Sequence, residues 1–358
     1  MINVHGFGNG RARLSRLVTE QKVASSPAKR RDSPPSTFAS YTLTATSIGF
    51  AAANRIRGRG AIGRVHSIFS GAIDVVLRGG SMVSIVREEV GSGPTNIVTD
   101  LPRKRSMAEL GVEKSDQVLR KSGEIRIGGK RAVLVSIQHA RLYRTEKEFP
   151  TKPRSISEIR TNVAAVARTA ASRGHHQGLG GLIPLLVPSG IEKTKRPAAL
   201  NSFSRLALPR VRSLLSKIRE GRISDLGTDV QNLAGLGPGL TPSGDDMLSG
   251  LMASLALIAH NLKGDAERVR RVNREIASSA RKRTTMLSEE YLSQAARGET
   301  NEHFQELIKK MLTALPNEAK RSAELVLKVG ETSGTDTVLG ILLGFQLSLD
   351  EKSAVGVA

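Results

Sequence analysis

Between residues 41 and 143 the chain carries short apolar runs of strand length, rich in β-branched residues. Glycine pairs such as Gly79-Gly80 and Gly128-Gly129 separate several of these runs, as turns do in all-β folds. Helical patterns are missing between the runs, so the pattern predicts a small β-barrel or sandwich and argues against parallel α/β winding. The predicted strands are 41–50, 63–69, 73–77, 82–86, 96–99, 124–127 and 132–137.

After a predicted hinge at 145–153, the apolar spacing changes to that of helices. From Phe304 to Leu312 apolar residues recur at i, i+3, i+4, i+7 and i+8, which is the pattern of one buried helix face. Further apolar stripes of this kind lie in 211–218, 269–276, 287–296 and 323–329.

These patterns predict an α+β protein with a β-rich barrel or sandwich first and a mainly helical domain second. We place the β-rich domain at 41–144 and the helical domain at 154–350. Residues 1–40 are rich in Ser, Pro, Arg and Gly and show no sustained periodicity. We therefore predict that they form a disordered basic tail.

The helical half carries one eight-residue frame twice, Ser-Gly-x-Asp-x-x-x-Gly, at 243–250 and 333–340. The first copy follows a loop rich in glycine and proline at 235–242, and each copy runs into an apolar stretch of helical length. Each frame is thus predicted to be a loop that enters a helix N-terminus, where small anions bind. Because Ser-x-x-Asp is also a variant of the capping box, paired structural caps are the alternative interpretation.

The last residue of each frame, Gly250 or Gly340, falls inside a predicted helix. A glycine there costs roughly 1 kcal/mol relative to alanine unless another group must approach closely. One close crossing of the two helices would explain both glycines and would lie roughly 10 Å from each N-terminus. A parallel crossing would let the two loops share a pocket, whereas an antiparallel crossing would place them at opposite ends.

The net charge of +21 invites a nucleic-acid interpretation, because basic side chains displace counterions from phosphate backbones. Residues 1–31 hold seven basic residues against one acid, and residues 263–283 hold eight against three. No zinc-finger spacing or aromatic ribonucleoprotein motif accompanies them. A basic nucleic-acid-associated protein remains an alternative, but a basic surface can equally attract anionic metabolites or an acidic partner.

Composition and histidine spacing exclude several kinds of chemistry. The chain has no cysteine, which excludes disulfides and thiolate catalysis and favours a cytoplasmic location. No apolar run approaches the roughly 20 residues needed to span a bilayer. His175 and His176 have no third ligand at zinc spacing, so no metal site is predicted there. His66 is expected to be a hydrogen-bonded core histidine, and 281–285 is either an anion site or a solvated helix end.

The segment Gly-Leu-Gly-Pro-Gly-Leu-Thr-Pro-Ser-Gly-Asp-Asp at 235–246 resembles the hallmark of the AllH-type oxamate carbamoyltransferase subunit family. The similarity runs in the same order from about residue 42 to 347. The chain departs from the family pattern at Asp74, where asparagine is usual, and at Thr335, where an aromatic residue is frequent. Further similar segments are 65–69, 93–97, 285–298 and 332–336.

The resemblance implies a subunit of a multi-protein enzyme that exchanges a carbamoyl group between oxalurate and phosphate in anaerobic purine breakdown. The expected ligand is a small anionic metabolite (carbamoyl phosphate, oxamate or oxalurate), and the expected partners are acyl-CoA-synthetase-like subunits. Direct attack within a bound pair needs orientation and charge stabilisation more than a covalent nucleophile. The Ser-Thr-x-Arg-Thr phosphate loop of ordinary transcarbamoylases is absent, so a different site is expected.

On this resemblance, Asp245, Asp246 and Asp336 are the candidate catalytic residues, which would accept hydrogen bonds from a carbamoyl or amide NH2 group. Asp245 and Asp246 are alternatively placed to hold Mg2+ beside a phosphate. A non-catalytic assembly or regulatory subunit, whose loops dock a partner, is the other interpretation. The candidate substrate-binding residues are Gly237, Gly239, Thr241, Ser243, Gly244, Thr285, Thr332, Ser333 and Gly334.

Overall fold

The structure is a computed structural model that describes residues 41–129, 132–187 and 200–357. The tail predicted at 1–40 lies outside the described residues. Strands come first along the described chain and helices follow. The strands are β1 (Tyr41–Gly49), β2 (Gly60–Ile68), β3 (Ala72–Leu77), β4 (Met82–Arg87), β5 (Asn96–Thr99), β6 (Gln117–Lys121), β7 (Glu124–Ile127), β8 (Val133–Ser136) and β9 (Arg141–Tyr143).

Eight of these strands close into a barrel in the order β5-β4-β3-β2-β6-β7-β8-β1, and β1 pairs with β5 to complete the ring. The first half of β1 is parallel to β8, its second half is parallel to β9, and β4 is parallel to β5. The other strand pairs of the barrel are antiparallel. The predicted barrel-like β-rich half is therefore confirmed.

Side chains at alternate positions of the strands point inward and fill the barrel interior. Ile73 and Val75 on β3 and Ile125 and Ile127 on β7 are buried, as expected when every second residue points inward. Only 3% of the chain is aromatic, so branched aliphatic side chains supply this core. The short strands β6 and β9 were missed by the apolar pattern, because each places a single buried apolar residue among polar or exposed neighbours.

The helical region follows. Its α-helices, together with one short helix inserted after β1, are α1 (Phe50–Arg55), α2 (Ile156–Arg173), α3 (Ile183–Leu186), α4 (Ser202–Arg219), α5 (Gly227–Leu233), α6 (Ser243–Asn261), α7 (Ala266–Ala280), α8 (Met286–Ala295), α9 (Glu302–Thr313), α10 (Pro316–Val326) and α11 (Ser333–Ser348).

Helices α6 and α11 form the centre of this region. They are apolar and buried on nearly all sides, whereas the surrounding helices bury one face each. On α9 the buried face is formed by Leu307, Ile308, Met311 and Leu312, which confirms the stripe predicted there. No helix within the described ranges has both the length and the apolar character needed to cross a bilayer.

The barrel packs on the helical region through specific polar contacts. Arg55 of α1 forms an ion pair with Glu290 of α8 at 2.8 Å. The Tyr143 hydroxyl donates to the carbonyl of Thr300 at 2.9 Å, and the amide of Phe149 donates to Asn261 at 2.8 Å. The segment predicted as a hinge is thus hydrogen-bonded to the helices. The first two contacts join the barrel to the helical region, and the third joins the segment after the barrel to the last residue of α6.

Candidate functional site

The two repeated frames form the first turns of α6 and α11, and the helices cross closely at the predicted glycines. A Cβ atom on Gly250 would lie 2.2 Å from the carbonyl oxygen of Thr337, and one on Gly340 would lie 1.9 Å from that of Met247. Gly344 meets Ser254 one turn further along both helices, so the crossing is parallel. The predicted close crossing is confirmed, and both N-termini lie on the same side of it.

The frames are not side-chain caps. Each serine is the first helical residue, and the N-cap residues are Pro242 and Thr332, neither of which makes a side-chain capping hydrogen bond within the described chain. Instead, the hydroxyl of Ser333 shares a hydrogen bond of 3.1 Å with that of Thr241. The two loops are therefore in direct contact, and the capping-box interpretation does not account for the repeat.

A cavity of about 730 Å³ lies where these loops face the barrel. Thr241, Asp246 and Ser333 line it on the helical side, and Tyr291 of α8 lines its flank. The barrel contributes residues of β3 and β4, the first residue of β5, and the loops that precede β3 and β5. Those that bear polar groups are Ser70, Asp74, Ser84, Thr95 and Asn96.

Asp246 is the acid of the first frame that faces this cavity. Asp246 is 8% exposed, and its Oδ2 atom is buried with no hydrogen-bond partner among the described residues. Burial raises the pKa of Asp246 well above its usual range, and the charges of Asp336 and Asp245 raise it further. Hydrogen bonds from Ser333 and Thr241 act in the opposite direction. Burial therefore favours the protonated form of Asp246 more than it does for an exposed carboxyl group.

The other two predicted catalytic acids lie behind the cavity wall. Asp245 accepts hydrogen bonds from the amide of Gly235, at 3.1 Å, and from the hydroxyl of Thr284. Asp336 accepts from the amide of Leu179 at 2.6 Å. Burial raises the pKa of Asp245, and it raises the pKa of Asp336 to about 6. Their contacts hold neighbouring loops, and a catalytic role for either remains a prediction.

Most of the predicted substrate-binding residues shape the loops. The amide of Gly244 donates to Leu236 and that of Gly334 donates to Val329, each at 2.9 Å, so neither has its hydrogen free for a ligand. Thr285 caps α8 by accepting from the amide of Ser288. Gly237 and Gly239 adopt positive φ angles in the loop before α6, Ser243 is buried, and Thr332 is an N-cap.

The barrel side of the cavity was not predicted from the sequence. Asp74 is 2% exposed and accepts hydrogen bonds from Ser67, at 2.9 Å, and from Ser84, at 2.7 Å. Burial raises the pKa of Asp74, although these two hydrogen bonds act to lower it. The half-buried His66 ring forms a 3.0 Å hydrogen bond with the hydroxyl of Ser67, which agrees with the predicted hydrogen-bonded histidine. Ser67 and Asp74 lie in the predicted strands 63–69 and 73–77, and the antiparallel pairing of these strands brings the two residues together.

Metal ligands are sparse at this site. Within 41–129, 132–187 and 200–357, no group of three or more His, Asp or Glu side chains could hold a metal ion. Asp245 uses both carboxylate oxygens in the contacts described above, which leaves Asp246 alone among the two acids considered for Mg2+. The exposed Lys328 lies at the cavity and forms no ion pair with a described residue.

Two family models match the chain. The one described as oxamate carbamoyltransferase subunit AllH matches residues 233–345, which include both frames. The one described as the AllH family N-terminal domain matches residues 44–142, which form the barrel. No solved structure matches this chain. The two matched segments meet at the cavity.

Proposed function

Because the chain belongs to the AllH family, which is described as a subunit of oxamate carbamoyltransferase, we propose that the cavity between the barrel and the two frames binds oxamate or its carbamoylated product. The observation that carries this proposal is Asp246, which lines the cavity and has a buried Oδ2 atom without a hydrogen-bond partner in the described part of the chain. An acceptor in that state costs about 1–3 kcal/mol until a donor reaches it.

Oxamate carries the two groups that this cavity can recognise. Its amide NH2 group can donate to Asp246, and the hydroxyls of Thr241 and Ser333 can bond its carbonyl oxygen. Its carboxylate can reach Lys328, whose ammonium group has no ionic partner among the described residues. A small ligand held at several points in this way is oriented for attack.

Asp246 is the proposed general base. As the amide nitrogen of oxamate forms its bond to the carbamoyl carbon of carbamoyl phosphate, the carbon–oxygen bond to phosphate breaks. Phosphate leaves with that electron pair, and the proton lost from nitrogen passes to the Asp246 carboxylate. A carboxylate whose pKa is raised by burial is a stronger base than an exposed one, which suits the removal of a proton from an amide.

A non-catalytic subunit is the second candidate, and the charge of the cavity favours it. Four acids line the cavity, Asp74, Asp246, Glu299 and Glu331, against Lys328 as the basic residue among the described lining. This set is poorly suited to a phosphate dianion. We therefore propose that partner subunits supply the groups that hold phosphate, and acyl-CoA-synthetase-like subunits are the expected class.

Calorimetric titration of the full chain with oxamate, oxalurate and carbamoyl phosphate tests the proposal. We expect heat with oxamate or oxalurate, and Asp246→Asn should weaken that binding more than about tenfold, because a hydrogen bond to a charged group contributes roughly 1.5–3 kcal/mol. Asp350→Asn is the matched control, since Asp350 lies beyond the far end of α11 and pairs with Arg219. Equal binding by both variants would contradict the assignment of Asp246. In the reconstituted complex at saturating oxamate, loss of turnover in Asp246→Asn but not in Asp350→Asn would favour the catalytic function, and equal turnover in both variants would favour the non-catalytic one.

A further inference from the structure

A second cleft, of about 890 Å³, lies between α7 and α8 and shares none of its described lining residues with the first cavity. Glu289 and Glu290 are the acids that line it. Five basic residues against two acids leave a net charge of +3 on its described walls with histidine neutral. The five are Lys147, Arg270, Arg274, Arg281 and Arg297.

Three of these guanidinium groups lack a counter-charge. Arg274, Arg281 and Arg297 form no ion pair or side-chain hydrogen bond with the residues that the structure describes. Arg270, on the same helix, pairs with Glu267 at 2.7 Å. The two lining acids are already engaged, because Glu290 pairs with Arg55 and Glu289 accepts from the amide of Lys282. The cleft therefore presents unbalanced positive charge rather than an internal ion-pair network.

Asn273 provides an independent indication of a ligand. Its side chain lines the cleft and is 1% exposed, and its Nδ2 atom donates to the carbonyl of Met252 at 2.9 Å. Its Oδ1 atom is buried and has no partner among the described residues. A buried acceptor of this kind is normally satisfied, so a donor from outside the chain is expected.

We propose that this cleft binds an organic polyphosphate that carries an N–H donor, such as a nucleoside triphosphate. The arginines would hold the phosphates in bidentate fashion, and Asn273 would accept from an amino group. Alanine-rich walls formed by Ala256, Ala277 and Ala296 give an apolar body room to lie against them. This site is separate from the proposed oxamate cavity and goes beyond it.

Size and hydrogen bonding distinguish this ligand from two others. Arg270 and Arg281 are eleven residues apart, about 16 Å between backbone positions at the rise of a helix, so a molecule as small as carbamoyl phosphate would engage fewer of the arginines than a longer polyphosphate. An acidic helix of a partner subunit could span that length. Its backbone N–H groups would be bonded within the helix, however, so only a side chain of that helix could donate to Asn273.

Calorimetric titration of the full chain with ATP at about 0.15 M salt tests the proposal, because weak surface attraction is largely screened there. We expect one site that binds ATP at least tenfold more tightly than inorganic triphosphate. Arg274→Ala and Arg281→Ala should each weaken ATP binding about tenfold, as expected for the loss of a charge-assisted bond to phosphate. Arg271→Ala is the matched control, since Arg271 is exposed on the same helix and outside the cleft.

Four outcomes would overturn the proposal. These are the absence of heat with ATP, triphosphate binding as tightly as ATP, an Arg271→Ala variant as impaired as Arg274→Ala, or carbamoyl phosphate competing with ATP at equal affinity. Oxamate binding by the Arg274→Ala variant should equal that of the wild-type chain. That comparison keeps failure of this proposal distinct from failure of the oxamate assignment.

Discussion

Asp246 and Asp336 occupy the same position in the two frames, three residues after Ser243 and Ser333, yet their surroundings differ. Asp246 faces the cavity below the barrel wall. Asp336 faces the loop before α3, where it accepts from the amide of Leu179. The same frame therefore supplies a cavity acid at one helix and a loop-holding acid at the other, because the neighbouring elements differ.

What the frames share is backbone geometry. In both, the second residue, Gly244 or Gly334, lets its amide donate to a carbonyl of the preceding turn, and the last residue permits the close crossing. These contacts depend on the absence of a side chain. The glycines of the frame thus determine how each helix begins and where the two helices cross. The contacts of the acid are determined separately, by the element that lies opposite it.

The largest expected effect comes from breaking the crossing itself. In Gly340→Ala the new methyl group would lie 1.9 Å from the carbonyl oxygen of Met247, so α6 and α11 must move apart. We expect a loss of about 3 kcal/mol or more in the free energy of unfolding, which exceeds the roughly 1 kcal/mol that alanine gains in helix propensity. Urea denaturation followed by circular dichroism measures it.

Gly79→Ala is the control for that substitution. A Cβ atom at Gly79 would meet no described atom within 4 Å, so its stability should stay within about 0.5 kcal/mol of the wild-type value. If Gly340→Ala were equally mild, the crossing would not be the close contact that organises the two frames.

A smaller effect, dependent on pH, should distinguish Asp336. Burial raises its pKa from 3.8 to about 6, so the folded state binds this proton more tightly than the unfolded state. Its stabilisation is present below about pH 4 and is lost as pH rises through 6, by about 3 kcal/mol. Asp336→Asn keeps an oxygen for the amide of Leu179 and should lose this pH dependence, as measured by unfolding free energies from pH 4 to 7.

Asp350→Asn should leave the pH dependence between pH 4 and 7 as it is in the wild-type chain. Burial tends to raise the pKa of Asp350, but the hydrogen bond from Arg219 opposes burial and the pKa is lowered. The contribution of Asp350 to stability is therefore present above the unfolded pKa and is lost as pH falls below it. A wild-type minus Asp336→Asn difference that stays constant across this pH range would show that Asp336 does not titrate as a buried acid.

Much of the fold was accessible from periodicity, because strand and helix faces repeat at fixed intervals. The strands at 96–99 and 124–127 match β5 and β7, and four of the five residues predicted in the stripe on α9 are buried. Barrel closure was not predictable. It depends on β1 pairing with both β5 and β8, which are distant in sequence and carry no local signal of their mutual contact.

The site could be predicted only in part. The repeat identified Asp246, and the paired glycines indicated that a crossing was needed, but its parallel direction depends on the path of the intervening helices. The barrel wall was missed because Ser67, Asp74 and Ser84 converge only through strand register. The loop contacts of Gly244 and Gly334 were missed because main-chain carbonyls leave no trace in the sequence.

The smallest effect should separate the two serines that begin the frames. Ser333 lines the cavity and bonds to Thr241, so Ser333→Ala should weaken oxamate binding about three- to tenfold, the range expected for one neutral hydrogen bond. The Ser243 hydroxyl is buried outside the cavity lining, beside the carboxyl group of Asp336. Ser243→Ala should therefore bind oxamate within about twofold of the wild-type affinity by the same titration. Equal losses of oxamate affinity in both variants would mean that the two frames bind one ligand together. Asp246 and Asp336 would then differ only in how strongly each contributes to that binding.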